Sequence, residues 1–273
     1  MRRAFAPTRV TRLEDPQAPG GRRHPSCPNV LAAPLGDILP SDGTASDLRR
    51  SHVDFDAYDY HAASGSWIAR DFVHGARFEH GLACIIDPDV VVGDDVRLGS
   101  RVHLASGTRF LDDIEFADDC VTTGVCLLGE HVRVRTGSCI SKAVIVDDWA
   151  FVGAGIMSSH TKNIDHGRPR APKRQLLTRY GYGTVIGSRT NTSAGVTIAP
   201  GAIVGYGSHV VVDLDTPNGI YYNDPHPYAT LQRELDPGDP YFMEVPAGFE
   251  PRQIEPELLA KYLPHYRAPS ARP

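Results

Sequence analysis

Runs of positive charge, long apolar runs and paired cysteines are all missing from this 273-residue chain. A formal net charge of −5 without any cluster of Lys or Arg offers no electrostatic footprint for a phosphate backbone, which argues against nucleic acid as a partner. No stretch approaches the roughly 18 uninterrupted apolar residues that a spanning helix needs, so no membrane partner is expected. The opening "MRRAFAPTRVTRLEDPQAPGGRR" is rich in Arg but lacks the apolar segment of a secretory signal; it reads as an arm, and a cytoplasmic location is the expectation. Five cysteines, Cys27, Cys84, Cys120, Cys126 and Cys139, are an odd number with no C-x-x-C pair. That argues against a disulfide framework and against a structural zinc site.

What the chain does have is a rhythm. In "VVGDDVRLGSRVHLASGT", residues 91–108, an aliphatic residue returns every sixth position, usually followed by Gly or Ala. Neither a helix nor an ordinary strand has that period. Counted from Ile68, fifteen six-residue units run to Val152 without a slip, and only His74, His80 and Thr122 are not apolar at the first place. The fifth places, from Phe72 to Ile156, are apolar or small throughout. Cys84, Cys120 and Cys126 fall there, as small buried side chains would. The rhythm breaks at "SSHTKNIDHGRPRAPKRQLLTR", residues 158–179, and resumes in a shifted frame with Tyr180, Ile186, Thr192, Ile198, Val204 and Val210.

A three-sided coil has this period. Each unit supplies a short strand and a corner, and three units close one turn. The first and fifth side chains point inward, and the corner collects Gly, Asp and Asn, which tolerate turn conformations. Residues eighteen apart, such as Leu98, Phe116, Val134 and Val152, then form a column, with turns stacked about 4.8 Å apart. One turn cannot bury its inner face alone, so successive turns share a core. Residues 1–67 lack the repeat; the aromatic part, "HVDFDAYDYHAASGSW", is read as a cap on the first turn and the first roughly thirty residues as an arm or disorder. Residues 68–214 are the coil with its loop at 158–179, and 215–273 are a C-terminal extension. Within that extension "QIEPELLAKYLPHY" predicts a short helix, with Pro256 near its start and Pro264 stopping it.

The repeat over residues 68–214 resembles the hexapeptide-repeat acyltransferases. The resemblance implies an all-β fold, a left-handed parallel β-helix of about seven coils with an excursion loop. The left hand comes from the family alone, since parallel crossovers are otherwise right-handed in about 98% of cases. It also implies a homotrimer with the active site between two subunits, acetyl-CoA or another short acyl-CoA as co-substrate, and a small polar acceptor such as a sugar or amino sugar. A His near the loop is often the general base in that family. His160 in "SSH" matches that place, with His166 in "DHGRPR" in reserve. Imidazole suits the task, because a pKa near 6.5 lets it accept the proton of an attacking hydroxyl or amine at neutral pH. Backbone groups at Gly187, Ser193, Ala194 and Gly205 are the candidates to meet the pantetheine arm or the thioester oxygen, and Lys173, Arg174 and Arg189 the CoA phosphates. The loop, with its "PRA", is also similar to that of nucleotide-amino-sugar N-acetyltransferases. The chain departs from the family at the "GNPA" motif, where it has "YYNDPHPYA" and keeps only Asn223 and Pro225.

Two other readings stay open. The same coil serves γ-class carbonic anhydrases, which gather three His around a metal, and the chain offers His103, His131, His160 and His166. Against this, five residues separate His160 from His166 where that family has four, and no metal ligand is assigned. The last reading is a catalytically silent scaffold.

Overall fold

The six-residue rhythm folds into a three-sided solenoid of parallel strands. The protein is represented by a computed structural model, which describes residues 55–162, 174–224 and 226–266. Among the described residues, eight parallel strands make the first sheet, from Ser66–Ala69 through Ile85–Ile86, His103–Leu104 and Met157–Ser158 to His209–Val210. The coil therefore has about eight turns, with Gly219–Tyr222 completing the last by pairing in parallel with Ile203–Val204. The expected column is present: Leu98 pairs with Phe116, Phe116 with Val134 and Val134 with Val152. Val152 then pairs with Ile186, 34 residues on, so the excursion inserts 34 − 18 = 16 residues without disturbing the stack.

The inward places are closed to solvent, as at Ile86, Val96, Leu104, Phe116, Val134 and Ile186. Each such aliphatic side chain contributes about 1.5–3 kcal/mol. The exception is the first turn, where His74 is exposed and His80 half-buried. Their rings lie 5.1 and 5.9 Å from that of Phe78, at the end of the core where no earlier turn of the repeat covers them.

Corners are built the same way at each turn. The fourth residue of most units takes a left-handed backbone, at Arg77, Ala83, Asp95, Arg101, Asp113 and Asp119 among others. For a non-glycine residue this costs about 1–2 kcal/mol. The stack offsets it with hydrogen bonds between turns, since the third residue's side chain caps the backbone N–H one turn earlier. Ala76 N donates to Asp94 Oδ1 at 2.7 Å, and Asp94 N to Asp112 Oδ1 at 2.8 Å.

The predicted helix is present as α1, Pro256–Tyr262, with Leu263 ending it. It belongs to a C-terminal strap that covers the outside of a second sheet, which runs through Thr108–Phe110, Cys126–Leu128, Val144–Val146 and Thr178–Tyr180. Leu127 and Ile145, outward on that sheet, are buried with Val125 and Ala143 against Ile254, Leu258 and Leu263. The strap is anchored by polar contacts as well: Arg252 reaches Asp148 at 2.6 Å, and Lys261 and Tyr262 both bond Asp89, at 2.7 and 2.6 Å.

Candidate active site

The excursion leaves after Met157–Ser158 on the first sheet and returns at Thr178–Tyr180 on the second, at the corner between them. Its base is a short antiparallel stem. Thr161 bridges Gln175, Lys162 N donates to Arg174 O at 3.2 Å, and Leu176 N donates to His160 O at 3.2 Å. His160 is thus half-buried on the outgoing limb with its main chain fixed by the returning one. His166 and Lys173 lie outside the described residues.

Buried polar contacts make the floor beneath the stem rigid. Ser141 N donates to Ser158 Oγ at 2.7 Å, and Ser141 Oγ donates to Ser158 O at 2.6 Å. The hydroxyls of Tyr180 and Thr192 are 2.7 Å apart, and burial pushes the Tyr180 phenol up to about 12. The returning limb is pinned from outside too. Gln175, buried, accepts from His265 N at 3.2 Å through Oε1 and bridges Tyr266 in parallel. A strap more than 70 residues further along the chain therefore fixes the stem that carries His160.

Of the other predicted residues, Ser193, Ala194 and Arg174 share this corner with His160. Ala194 is buried, and Ser193 N is bonded to Val210 O at 2.9 Å. Thr178 Oγ1 accepts from Gly195 N at 3.0 Å, which ties the returning limb to the next turn. Gly187, Arg189 and Gly205 stand at the opposite edge of the first sheet, beyond Asn191–Thr192. The structure also explains why two of these glycines are small. A Cβ at Gly187 would meet Tyr206 N, and one at Gly205 the Tyr222 ring, so the stacking of turns alone demands their size. Asn223 is engaged in the same stacking, accepting from His209 N at 3.0 Å. Pro225 lies outside the described residues.

The histidines of the metal reading are dispersed. His103 is outward on the first sheet, 3.0 Å from Asp87, and His131 is at another corner, 2.7 Å from Asp113. Among the described residues no three His, Cys, Asp or Glu side chains are grouped closely enough to hold an ion. The thiols at Cys120 and Cys126 are pushed up by burial, to about 11 and about 12, and are inert at neutral pH. Cys27 is outside the described residues.

Sequence reasoning missed Asp87, Gln175 and the anchoring residues of the strap. Asp87 had a signal: it occupies the second place of its unit, where Gly or Ala is usual. Gln175 and Arg252 had none, because their partners are set by tertiary packing.

No known family's sequence profile matches the chain, and no curated protein does. Solved structures resemble it at low identity. AntD, an N-acyltransferase from Bacillus cereus seen with dTDP and coenzyme A, is 12% identical over 71% of this chain and 91% of its own, with a TM-score of 0.37. The UDP-N-acetylglucosamine acyltransferase of Campylobacter jejuni is 13% identical over 63% of this chain and 73% of its own, with a TM-score of 0.38. Likenesses this remote do not bear on activity.

Proposed function

We propose that this chain is an acyl-CoA-dependent acyltransferase, transferring an acetyl or similar short acyl group to a hydroxyl or amino group of a small polar acceptor such as a sugar or amino sugar. The observation that carries the reading is the single break in the rhythm. There, a half-buried His is held on a stem pinned by backbone hydrogen bonds inside and by Gln175 and the strap outside. Such rigidity is what a proton-accepting group needs in order to meet a reacting atom repeatedly.

His160 is proposed as the base. It takes the proton of the acceptor as its oxygen or nitrogen bonds to the thioester carbon; the carbon–sulfur bond breaks, and the thiolate leaves to receive the proton. Ala194 N is proposed as the main-chain donor to the carbonyl oxygen, since Ser193 N already donates to Val210 O, and Arg174 and Arg189 are exposed cations at the two edges of the sheet. His166 and Lys173 remain candidates on the sequence alone.

A cytoplasmic homotrimer is part of the proposal. Cys139 and Met157 are neighbours in the outward column of the first sheet beside the stem, and neither carries a charge. Met157 is 51% exposed, as suits a place beside the stem that a second copy would cover.

The test is His160→Ala, assayed as CoA release from acetyl-CoA with a panel of hydroxyl and amino sugars. The expected result is a kcat lower by about a hundredfold or more, with unfolding unchanged. Wild-type turnover in the variant would remove His160 from the role.

A further inference from the structure

Two histidines sit on carboxylates, and the pairs differ in what the carboxylate can still do. Asp113 accepts from His131 Nδ1 at 2.7 Å but is also gripped by both contacts of Arg133 Nη2 at 2.9 Å. Its charge is matched by the guanidinium, and the His131 ring lies 4.2 Å from that of Trp149, tilted by 30°. That pair is structural. Asp87 is bonded by Tyr58 Oη at 2.8 Å and by His103 Nε2 at 3.0 Å, with no Arg or Lys side chain among its partners in the described residues. Burial alone would raise its carboxyl, but the bonds from His103 and Tyr58 outweigh this and hold it below the usual range. It is therefore ionised at neutral pH.

An ionised carboxylate can only accept, so His103 Nε2 carries the hydrogen of that bond, and in the neutral ring Nδ1 keeps a lone pair. His103 is an outward residue with a side chain 42% exposed. Ile85 pairs with it one turn before and Val121 one turn after, so apolar surface flanks the imidazole on both sides. The arrangement has a base, a carboxylate that orients it and a tyrosine that holds the carboxylate. It is three turns of the column from Met157, about 14 Å, and so is separate from the stem of the excursion.

We propose that Asp87 and His103 form a second acid–base site, which activates water or a small hydroxyl compound toward an activated acyl ester resting on the Ile85–Val121 strip. In the step, His103 Nδ1 takes a proton from water as the water oxygen bonds to the acyl carbon. The bond from that carbon to the leaving oxygen or sulfur then breaks, and the leaving anion recovers the proton from the imidazolium. Ester and water become acid and alcohol, or acid and thiol. His103 is the catalytic residue and Asp87 a positioning residue. The inference does not depend on acyl-CoA binding.

The probe is p-nitrophenyl acetate with the full chain. His103→Gln is expected to lower kcat/KM about tenfold or more, and Asp87→Asn to lower kcat several-fold at unchanged KM. His131→Gln, the structural pair, is expected to leave turnover alone. On the wild-type chain, diethyl pyrocarbonate should acylate His103 about fivefold faster than His131, and Asp87→Asn should abolish that difference while Asp87→Glu restores part of it. Wild-type hydrolysis by His103→Gln, a wild-type rate no greater than that of free imidazole at equal concentration, or equal acylation of His103 and His131 would each overturn the proposal.

Discussion

Leu176, on the returning limb of the excursion, lies directly over Gly195: a Cβ on that glycine would be 2.7 Å from Leu176 Cδ1. Gly195 also has a left-handed backbone, with φ of +82°. The stem and the following turn are thus in contact at a position that allows no side chain. Gly195→Ala adds backbone strain of about 1–2 kcal/mol and crowding of about 1–3 kcal/mol. The expected loss is about 2–5 kcal/mol, read as a fall in Tm of roughly 4–20 °C. An unchanged Tm would show that the stem does not rest on this turn.

The strap carries a pH dependence of defined sign. Burial would raise the Asp89 carboxyl, but bonds from Lys261, Tyr262 and Arg109 prevail and hold it far below the ordinary carboxylate range. The stability this contributes is complete above the unfolded pKa, about 3.9, and is lost as pH falls toward the folded value. Asp147 has the opposite sign. Its burial outweighs the bonds from Arg179 and Arg252 and raises it, so its cost is present at neutral pH and is relieved by protonation. Between pH 5 and pH 3 the Tm of Asp89→Asn should fall less than that of the wild type. Parallel falls would show that Asp89 does not anchor the helix.

Two hydroxyls in the late turns behave differently. Among the described residues Thr184 Oγ1 is buried without a hydrogen-bond partner, whereas Thr190 Oγ1 donates to Gly205 O at 3.2 Å. Thr184→Val removes an unpaired polar atom and is expected to raise stability by up to about 1–2 kcal/mol. Thr190→Val leaves a carbonyl unpaired and is expected to cost about 1 kcal/mol. Urea titration of the two variants checks the pair, and a loss in both would mean that Thr184 has a partner.

The solenoid was legible because its information is local and repeated. Phe116 sits in its column for the same reason as Leu98 and Val134, and one register fixes all three. The short helix was legible from Pro256 and Pro264. The strap's course was not, because Arg252 meets Asp148 from 104 residues away and nothing in either neighbourhood encodes that meeting. The site was legible in part. The break in the rhythm located the stem and His160, but the small residues taken as cofactor contacts divide between two edges of a sheet. At Gly187 and Gly205 the stacking of turns requires glycine whatever the ligand. Asp87 and His103 are 16 residues apart, two short of a full turn, so a search along columns passes over them.

The most direct test of the central claim is calorimetric titration of the full chain with acetyl-CoA. Saturable binding with one site per chain, together with CoA release when a hydroxyl or amino sugar is added, is the predicted result. No heat of binding and no thermal shift at millimolar acetyl-CoA would contradict the account and leave a solenoid without acyl-transfer chemistry at its stem.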